Sequence, residues 1–308
     1  MSLPKQVTIV EVGPRDGFQN ESGFIPTEQK IKIIDQLSET GLRRIEATSF
    51  VHPKAIPQLA DAAEVMAGIK RKEGVRYMAL IPNVKGVERA LQAGVKEINL
   101  VVSASESHNR SNLNMSVAES LKALKEVARI ALGNGMRIRG GIATTFGCPF
   151  EGRVPPEKVD EIAQEYLAMG VHELCLADTV GMADPSQVSE MVSRFRDKLK
   201  DVEFSLHFHN TRGAGMANVL IAMLEGANIF DASICGLGGC PYAPGATGNI
   251  PTADMVHMLE SMGIDTGVDL SKLIECAKMV RDLLGRELPG QVMKAGPVPW
   301  AAKNQASS

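Results

Sequence analysis

Short apolar, β-branched runs recur along the chain, separated by segments whose apolar residues return every three to four positions. The first pattern marks strands covered on both faces, and the second marks helices with one buried stripe. Their regular alternation predicts βα units around a parallel sheet. Eight strands are predicted, over 7–12, 44–48, 76–81, 97–102, 137–144, 173–177, 203–208 and 229–234. Their starts lie 37, 32, 21, 40, 36, 30 and 26 residues apart, which leaves a helix in each gap and a cramped one in the third.

The gaps carry helix punctuation. Thr27 stands where it can cap a helix on which Ile31, Ile34, Leu37 and Ser38 share a face and which Gly41 ends. Ser116 opens a run with Val117, Leu121, Leu124, Val127 and Ala128 that stops near Gly133 and Gly135. Pro155 and Pro156 open one that stops at Gly170, and Pro185 sits in the first turn of another. A doubly wound sheet usually stops at five or six strands, so eight units predict a TIM (β/α)8 barrel over 5–265. Segment 266–300 reads as a short C-terminal helical extension near the barrel mouth, and 301–308 as a disordered tail, all within a single domain spanning 1–308.

Charge narrows the partners. With 33 Lys and Arg against 36 Asp and Glu, and no block of like sign, the chain offers no global attraction for nucleic acid or an anionic bilayer. Neither is expected as a partner. No apolar run approaches the ~18 residues of a spanning helix, and the N-terminal residues lack the layout of a signal peptide. The cysteines, Cys148, Cys175, Cys235, Cys240 and Cys276, are odd in number and form no Cys-x-x-Cys pair, which argues against a disulfide framework or a structural zinc site. Free thiols suit a cytoplasmic protein.

In a barrel, chemistry sits where strands end. Here the first strand runs into Glu11-Val12-Gly13-Pro14-Arg15-Asp16-Gly17, the second into Glu46-Ala47-Thr48-Ser49, the sixth into Asp178-Thr179 and the seventh into His207-Phe208-His209. Residues two apart on a strand share a face, so both imidazoles can bind one ion. Strands seven, eight and one are neighbours in a closed barrel, so Asp16 and Asn249 can reach the same point. Such a mixed nitrogen and oxygen set suits Mn²⁺ or Mg²⁺, or Zn²⁺ or Fe²⁺, in a site with positions left open. Arg15 can donate a fork of hydrogen bonds to a carboxylate or enolate, its alternative being a salt bridge with Glu46. The glycine-rich segment 236–249 can close over a ligand as a lid, and its Cys240 is then a candidate acid or base; the alternative is a turn around an inert thiol. A dinucleotide fingerprint would follow the first strand, not the eighth.

Taken together, Glu11 to Glu21 (EVGPRDGFQNE), IEATSF at 45–50, SASE at 103–106, GCPFEG at 147–152, ADTVG at 177–181, the His-x-His strand and the loop GLGGCPYAPGATGN at 236–249 closely resemble the 3-hydroxy-3-methylglutaryl-CoA lyase family over nearly the whole chain. The resemblance implies metal ligands at Asp16, His207, His209 and Asn249, and catalytic roles for Arg15, Glu46, His207 and Cys240. It implies a substrate pocket that includes Gln19, Ser49, Asp178 and Thr179. It further implies Mg²⁺ or Mn²⁺ as cofactor, an acyl-CoA substrate with no other organic cofactor, a possible homodimer, and retro-Claisen cleavage to acetyl-CoA and acetoacetate. One departure is Asn210-Thr211-Arg212-Gly213, where the best-known members carry Asp-Thr-Tyr-Gly after the second histidine. That change allows a different 3-hydroxyacyl-CoA acid as substrate. The rivals are a condensing acyltransferase of the same barrel group and an inactive barrel that only binds.

Overall fold

The computed structural model describes residues 3–196, 198–199, 201–239 and 248–299. Strands β1 (Thr8–Glu11), β2 (Arg44–Ser49), β3 (Arg76–Leu80), β4 (Glu97–Ser103), β5 (Arg137–Ala143), β6 (Glu173–Asp178), β7 (Glu203–Phe208) and β8 (Ile229–Ala232) form a closed barrel in chain order. Every neighbouring pair is parallel, and β8 closes on β1 through Thr8↔Ile229 to Glu11↔Ala232. The predicted strands fall on these eight. β8 stops two residues early because the chain turns into a 3₁₀ helix, Ile234–Gly236, in which Cys235 takes a φ of +59°.

The helices are α1 (Thr27–Ser38), α2 (Ala62–Gly68), α3 (Val84–Gln92), α4 (Glu106–Leu113), α5 (Val117–Gly133), α6 (Pro156–Ala168), α7 (Pro185–Arg196), α8 (Gly215–Leu224), α9 (Thr252–Ser261), α10 (Leu270–Leu284) and α11 (Val292–Ala295). The short third gap holds the nine-residue α3. Ser116 and Glu119 form the reciprocal capping box that starts α5. Thr27, expected as a cap, is instead the first residue of α1: its hydroxyl donates to Asp61 Oδ2 at 2.8 Å and caps nothing. Between β4 and α5 the additional α4 buries His108. Past the barrel, α10 packs on α1 and α9, and Gly290 donates to the Cys235 carbonyl, bringing the chain back to the loop after β8. Residues 301–308, read as a tail, lie outside the described residues.

Two interiors result. The large apolar core lies between the sheet and the helices, built from Ile33, Leu37, Ile98, Leu100, Val127, Leu174, Phe195 and their neighbours. Inside the barrel Val10, Val12 and Met78 form a small apolar group with Ile229 packed against it. Several of the remaining inner positions are charged, where barrels ordinarily stack branched aliphatic residues. Arg44 pairs with Glu97 at 3.2 Å and with Glu173. Glu173 pairs with Arg139 at 2.9 Å, Arg139 with Asp231 at 2.7 Å, and Asp231 Oδ2 lies 3.0 Å from His207 Nδ1. Ser205 fills a gap by donating to Glu173 and accepting from Arg139. At the opposite end Arg76 and Arg137 reach Glu203, and Arg76 also meets Glu97. An alternating column of charge thus runs from the bottom of the barrel to the paired histidines.

A buried charge stripped of its partner is expensive, by about 3–5 kcal/mol. Arg44→Met, which leaves Glu173 to Arg139 alone and Glu97 to Arg76 alone, is expected to lower unfolding free energy by up to about that amount in urea titration. Arg129→Ala removes an exposed pair with Glu126 and is expected to change it by less than about 0.5 kcal/mol.

Candidate functional site

The site begins with a local irregularity. After β1 the chain makes a single π-helical turn, Gly13–Gly17, a geometry common where a side chain must be re-aimed. Buried Glu11 creates it. Its Oε1 accepts from Gly13 N and Ile234 N, both at 2.7 Å, and its Oε2 from Thr252 Oγ1 at 2.6 Å, so one carboxyl ties β1 to the β8 loop and the start of α9. Burial outweighs these hydrogen bonds and pushes the Glu11 carboxyl up to about 7. Glycine is required at the turn's contact points: a Cβ on Gly13 would stand 2.7 Å from Glu11 Oε1, and one on Gly17 2.7 Å from Leu237 Cβ.

The turn carries Arg15 and Asp16 into the mouth. Arg15 Nε donates to Glu46 Oε2 at 2.7 Å and its Nη1 to Asp16 Oδ1 at 2.6 Å, while Asn99 Nδ2 donates to the other Glu46 oxygen at 2.8 Å. Burial opposes the charge on Arg15, but Glu46 and Asp16 outweigh it and tighten its hold on the proton. Asp16, against the same burial, is held below the ordinary carboxylate range by Arg15 and the two histidines.

From β7, the His207 and His209 rings lie 5.0 Å apart and inclined by 50°. Burial, followed by the nearby His207, drops the His209 imidazole to about 3, so it is neutral, as a ligand must be. Each of Asp16, His207 and His209 offers a ligand atom within 4.8 Å of the others. Asn249 faces His209 through an isolated antiparallel bridge, and its Nδ2 donates to Asp16 Oδ2 at 2.6 Å and to the Leu237 carbonyl at 2.9 Å. That arrangement needs Gly238, whose φ is +106° and whose added Cβ would stand 2.4 Å from Asn249 Nδ2. The residues fit a cation: Asp16 Oδ2 accepts one hydrogen bond and keeps a lone pair, and His209 Nδ1 is buried without a hydrogen-bond partner.

Of the other expected residues, Gln19 joins the group by donating to Asp16 Oδ1 at 3.1 Å. Asp178 lies close enough to His207 to feel its charge; Met182 N donates to its Oδ1, its buried Oδ2 has no hydrogen-bond partner among the described residues, and burial raises its carboxyl to about 6. Thr179 Oγ1 accepts from Thr144 N at 3.1 Å, and Ser49 Oγ donates to the Leu80 carbonyl at 3.2 Å, so neither is hydrogen-bonded to the cluster among the described residues. Cys240 lies outside the described residues. Arg212 donates to the Val180 and Gly181 carbonyls at 3.0 and 2.8 Å, bracing the β7 loop against the β6 loop. Sequence reasoning noted Glu11 at a strand end without giving it a role, and missed Asn99, Arg139 and Asp231. It also missed Thr144, a β-branched residue at φ +56° whose hydroxyl meets Ser103 Oγ at 2.7 Å.

These features define a (β/α)8 barrel with a cluster of residues that could hold a cation at its C-terminal mouth, beside a twice-paired arginine. The HMGL-like family model matches residues 6–280, and the chain belongs to that family. It is 49% identical over 291 residues to hydroxymethylglutaryl-CoA lyase of Bacillus subtilis, covering 94% of this chain and 97% of that one. The mitochondrial hydroxymethylglutaryl-CoA lyase of Homo sapiens is 43% identical over 96% of this chain and 90% of its own. The crystal structure of the Bacillus subtilis HMG-CoA lyase superposes with a TM-score of 0.94 at 48% identity, covering 96% and 99% of the two chains. An HMG-CoA lyase from Acinetobacter baumannii in complex with coenzyme A and 3-methylmalate superposes at 0.93 with 47% identity, covering 97% and 98%.

Because the Glu11 carboxyl is raised from 4.5 to about 7, the folded chain holds that proton more tightly than the unfolded one. Its contribution to stability is full below about pH 4.5 and is lost as pH rises through about 7. Glu11→Gln is therefore expected to flatten the wild type's decline in urea midpoint between those values; equal slopes in the two proteins would show that Glu11 titrates normally.

Proposed function

We propose that the protein cleaves 3-hydroxy-3-methylglutaryl-CoA to acetyl-CoA and acetoacetate with a divalent cation, Mg²⁺ or Mn²⁺, held by Asp16, His207, His209 and Asn249. One observation carries the reading: consecutive residues of the π-turn supply a cluster ligand, Asp16, and a guanidinium, Arg15, in contact at 2.6 Å. A substrate lying across them meets both at once. The Acinetobacter baumannii lyase, in complex with an acyl carrier, coenzyme A, and a small hydroxy diacid, 3-methylmalate, supports a substrate that joins these two chemistries.

A cation held by Asp16, His207, His209 and Asn249 would supply Lewis acidity, which favours loss of a proton from the substrate's hydroxyl. The rest is done by side chains. Removal of the C3 hydroxyl proton lets the oxygen become the ketone of acetoacetate as the C2–C3 bond breaks and its electron pair moves into the thioester enolate. Arg15 is preset to receive that charge, because Glu46 and Asp16 fix its fork and burial strips water from it. Glu46 is in turn pinned by Asn99, so the guanidinium does not rotate. A proton returned to C2 completes acetyl-CoA; Glu46 and Cys240 are the groups this reading offers to take or return protons, His207 being engaged as a ligand.

Metal-stripped protein given 3-hydroxy-3-methylglutaryl-CoA is expected to release both products, followed by mass, only after Mg²⁺ or Mn²⁺ is added. No cleavage by the cation-loaded protein would overturn the assignment. Arg15→Lys, which keeps the charge but loses the fork, is expected to lower kcat by about 10²–10³ with a smaller change in KM.

A further inference from the structure

The charged column ends on a histidine, and its last joint does more than balance charge. Asp231 lies on β8 beside β7, with Leu206 and Phe230 in register, so its side chain meets that of His207 across the inner face. Oδ1 takes the Arg139 guanidinium at 2.7 Å and Oδ2 lies 3.0 Å from His207 Nδ1. A carboxylate in an ion pair offers only acceptors, so Nδ1 must carry the proton in this contact. Nε2 is then the lone pair left to the mouth. His209, by contrast, has its Nδ1 buried with no hydrogen-bond partner. The two imidazoles of one cluster are thus held differently.

We infer that Asp231, locked by Arg139, is the positioning residue of the cation site: it fixes the ring and tautomer of His207 so that Nε2 is presented to the ion before any ion arrives. The inference rests on the cation reading above and deepens it. A purely structural rung would contribute to stability yet leave ion affinity and the histidine proton where they are. A positioning carboxylate behind a ligating imidazole instead changes affinity by about 10- to 100-fold.

The test uses full-length protein with ¹⁵N-labelled histidine, His207 being assigned from the signals lost in His207→Asn. Wild type, with and without Mg²⁺, is expected to show the proton on His207 Nδ1; a proton on Nε2 in the ion-free protein overturns the inference. Asp231→Asn presents an amide that can donate to Nδ1 and reverse the tautomer. Its Mn²⁺ affinity, read from free Mn²⁺ by electron paramagnetic resonance, is expected to fall about 10- to 100-fold, with turnover partly regained at high Mn²⁺. Folded Asp231→Asn that binds Mn²⁺ within twofold of wild type also overturns it. If that variant does not fold, the wild-type nitrogen spectrum decides alone. Failure of the wild type to bind Mn²⁺ would sink the cation reading, while the ion-free spectrum still reports on Asp231.

Discussion

Pairing of the charges inside the barrel is the constraint from which the rest follows. Glu97, Arg44, Glu173, Arg139 and Asp231 are all nearly inaccessible to solvent, and each ion has a partner of opposite sign. Such a column is a poor way to gain stability, because desolvation offsets most of the attraction. What it does provide is registry. The pairs join β2, β4, β5, β6 and β8, so a slip of any of these strands by one residue would turn a charge outward into the apolar layer under the helices. The apolar core between sheet and helices supplies burial, and the charged column fixes which residues face the mouth.

The mouth inherits that order through two supports of different kinds. On one side β7 and β8 hold His207 directly through Asp231, at the end of the column. On the other, Glu11 lies outside the column and locks the π-turn to the loop after β8 with three accepted hydrogen bonds. Close glycine packing finishes the second support. Gly13, Gly17 and Gly238 each admit a neighbouring side chain to within a distance that a Cβ would forbid. Asp16 and Asn249 meet only because these backbones approach so closely.

Much of this was legible from the sequence, and the exceptions have a common cause. Strand starts, the cap at Ser116, Arg15, Asp16 and the histidine pair follow from local patterns: alternation, turn residues and polar groups at strand ends. The column was missed although the same alternation that reveals His207 and His209 also places Arg44 with Glu46, Glu97 with Asn99, and Arg137 with Arg139 on single faces. Polar residues inside a predicted strand are readily taken for edges, since only their partners on distant strands make them tolerable inside. Arg212 illustrates the converse. Its charge suggested a reshaped pocket, whereas the structure directs its donors to the Val180 and Gly181 carbonyls, a contact no local pattern contains.

Charge at the mouth gives the arrangement its chemical sense. Asp16 and Glu46 contribute two negative charges and Arg15 one positive charge, while Asp231 is offset by Arg139 within the column. Imidazoles that ligate a cation add none. Asp16, Glu46 and Arg15 by themselves therefore sum to one negative charge, and a divalent ion beside them would reverse that sum to a single net positive. In the proposed reaction that polarity would attract a carboxylate-bearing substrate and grow more favourable as an enolate develops beside Arg15. In a pocket walled by buried side chains, where water screens little, this small imbalance is felt at short range. Neutralising the column within itself is what allows it: any unpaired charge below the histidines would add to the field at the mouth and shift the balance on which binding and bond cleavage both depend.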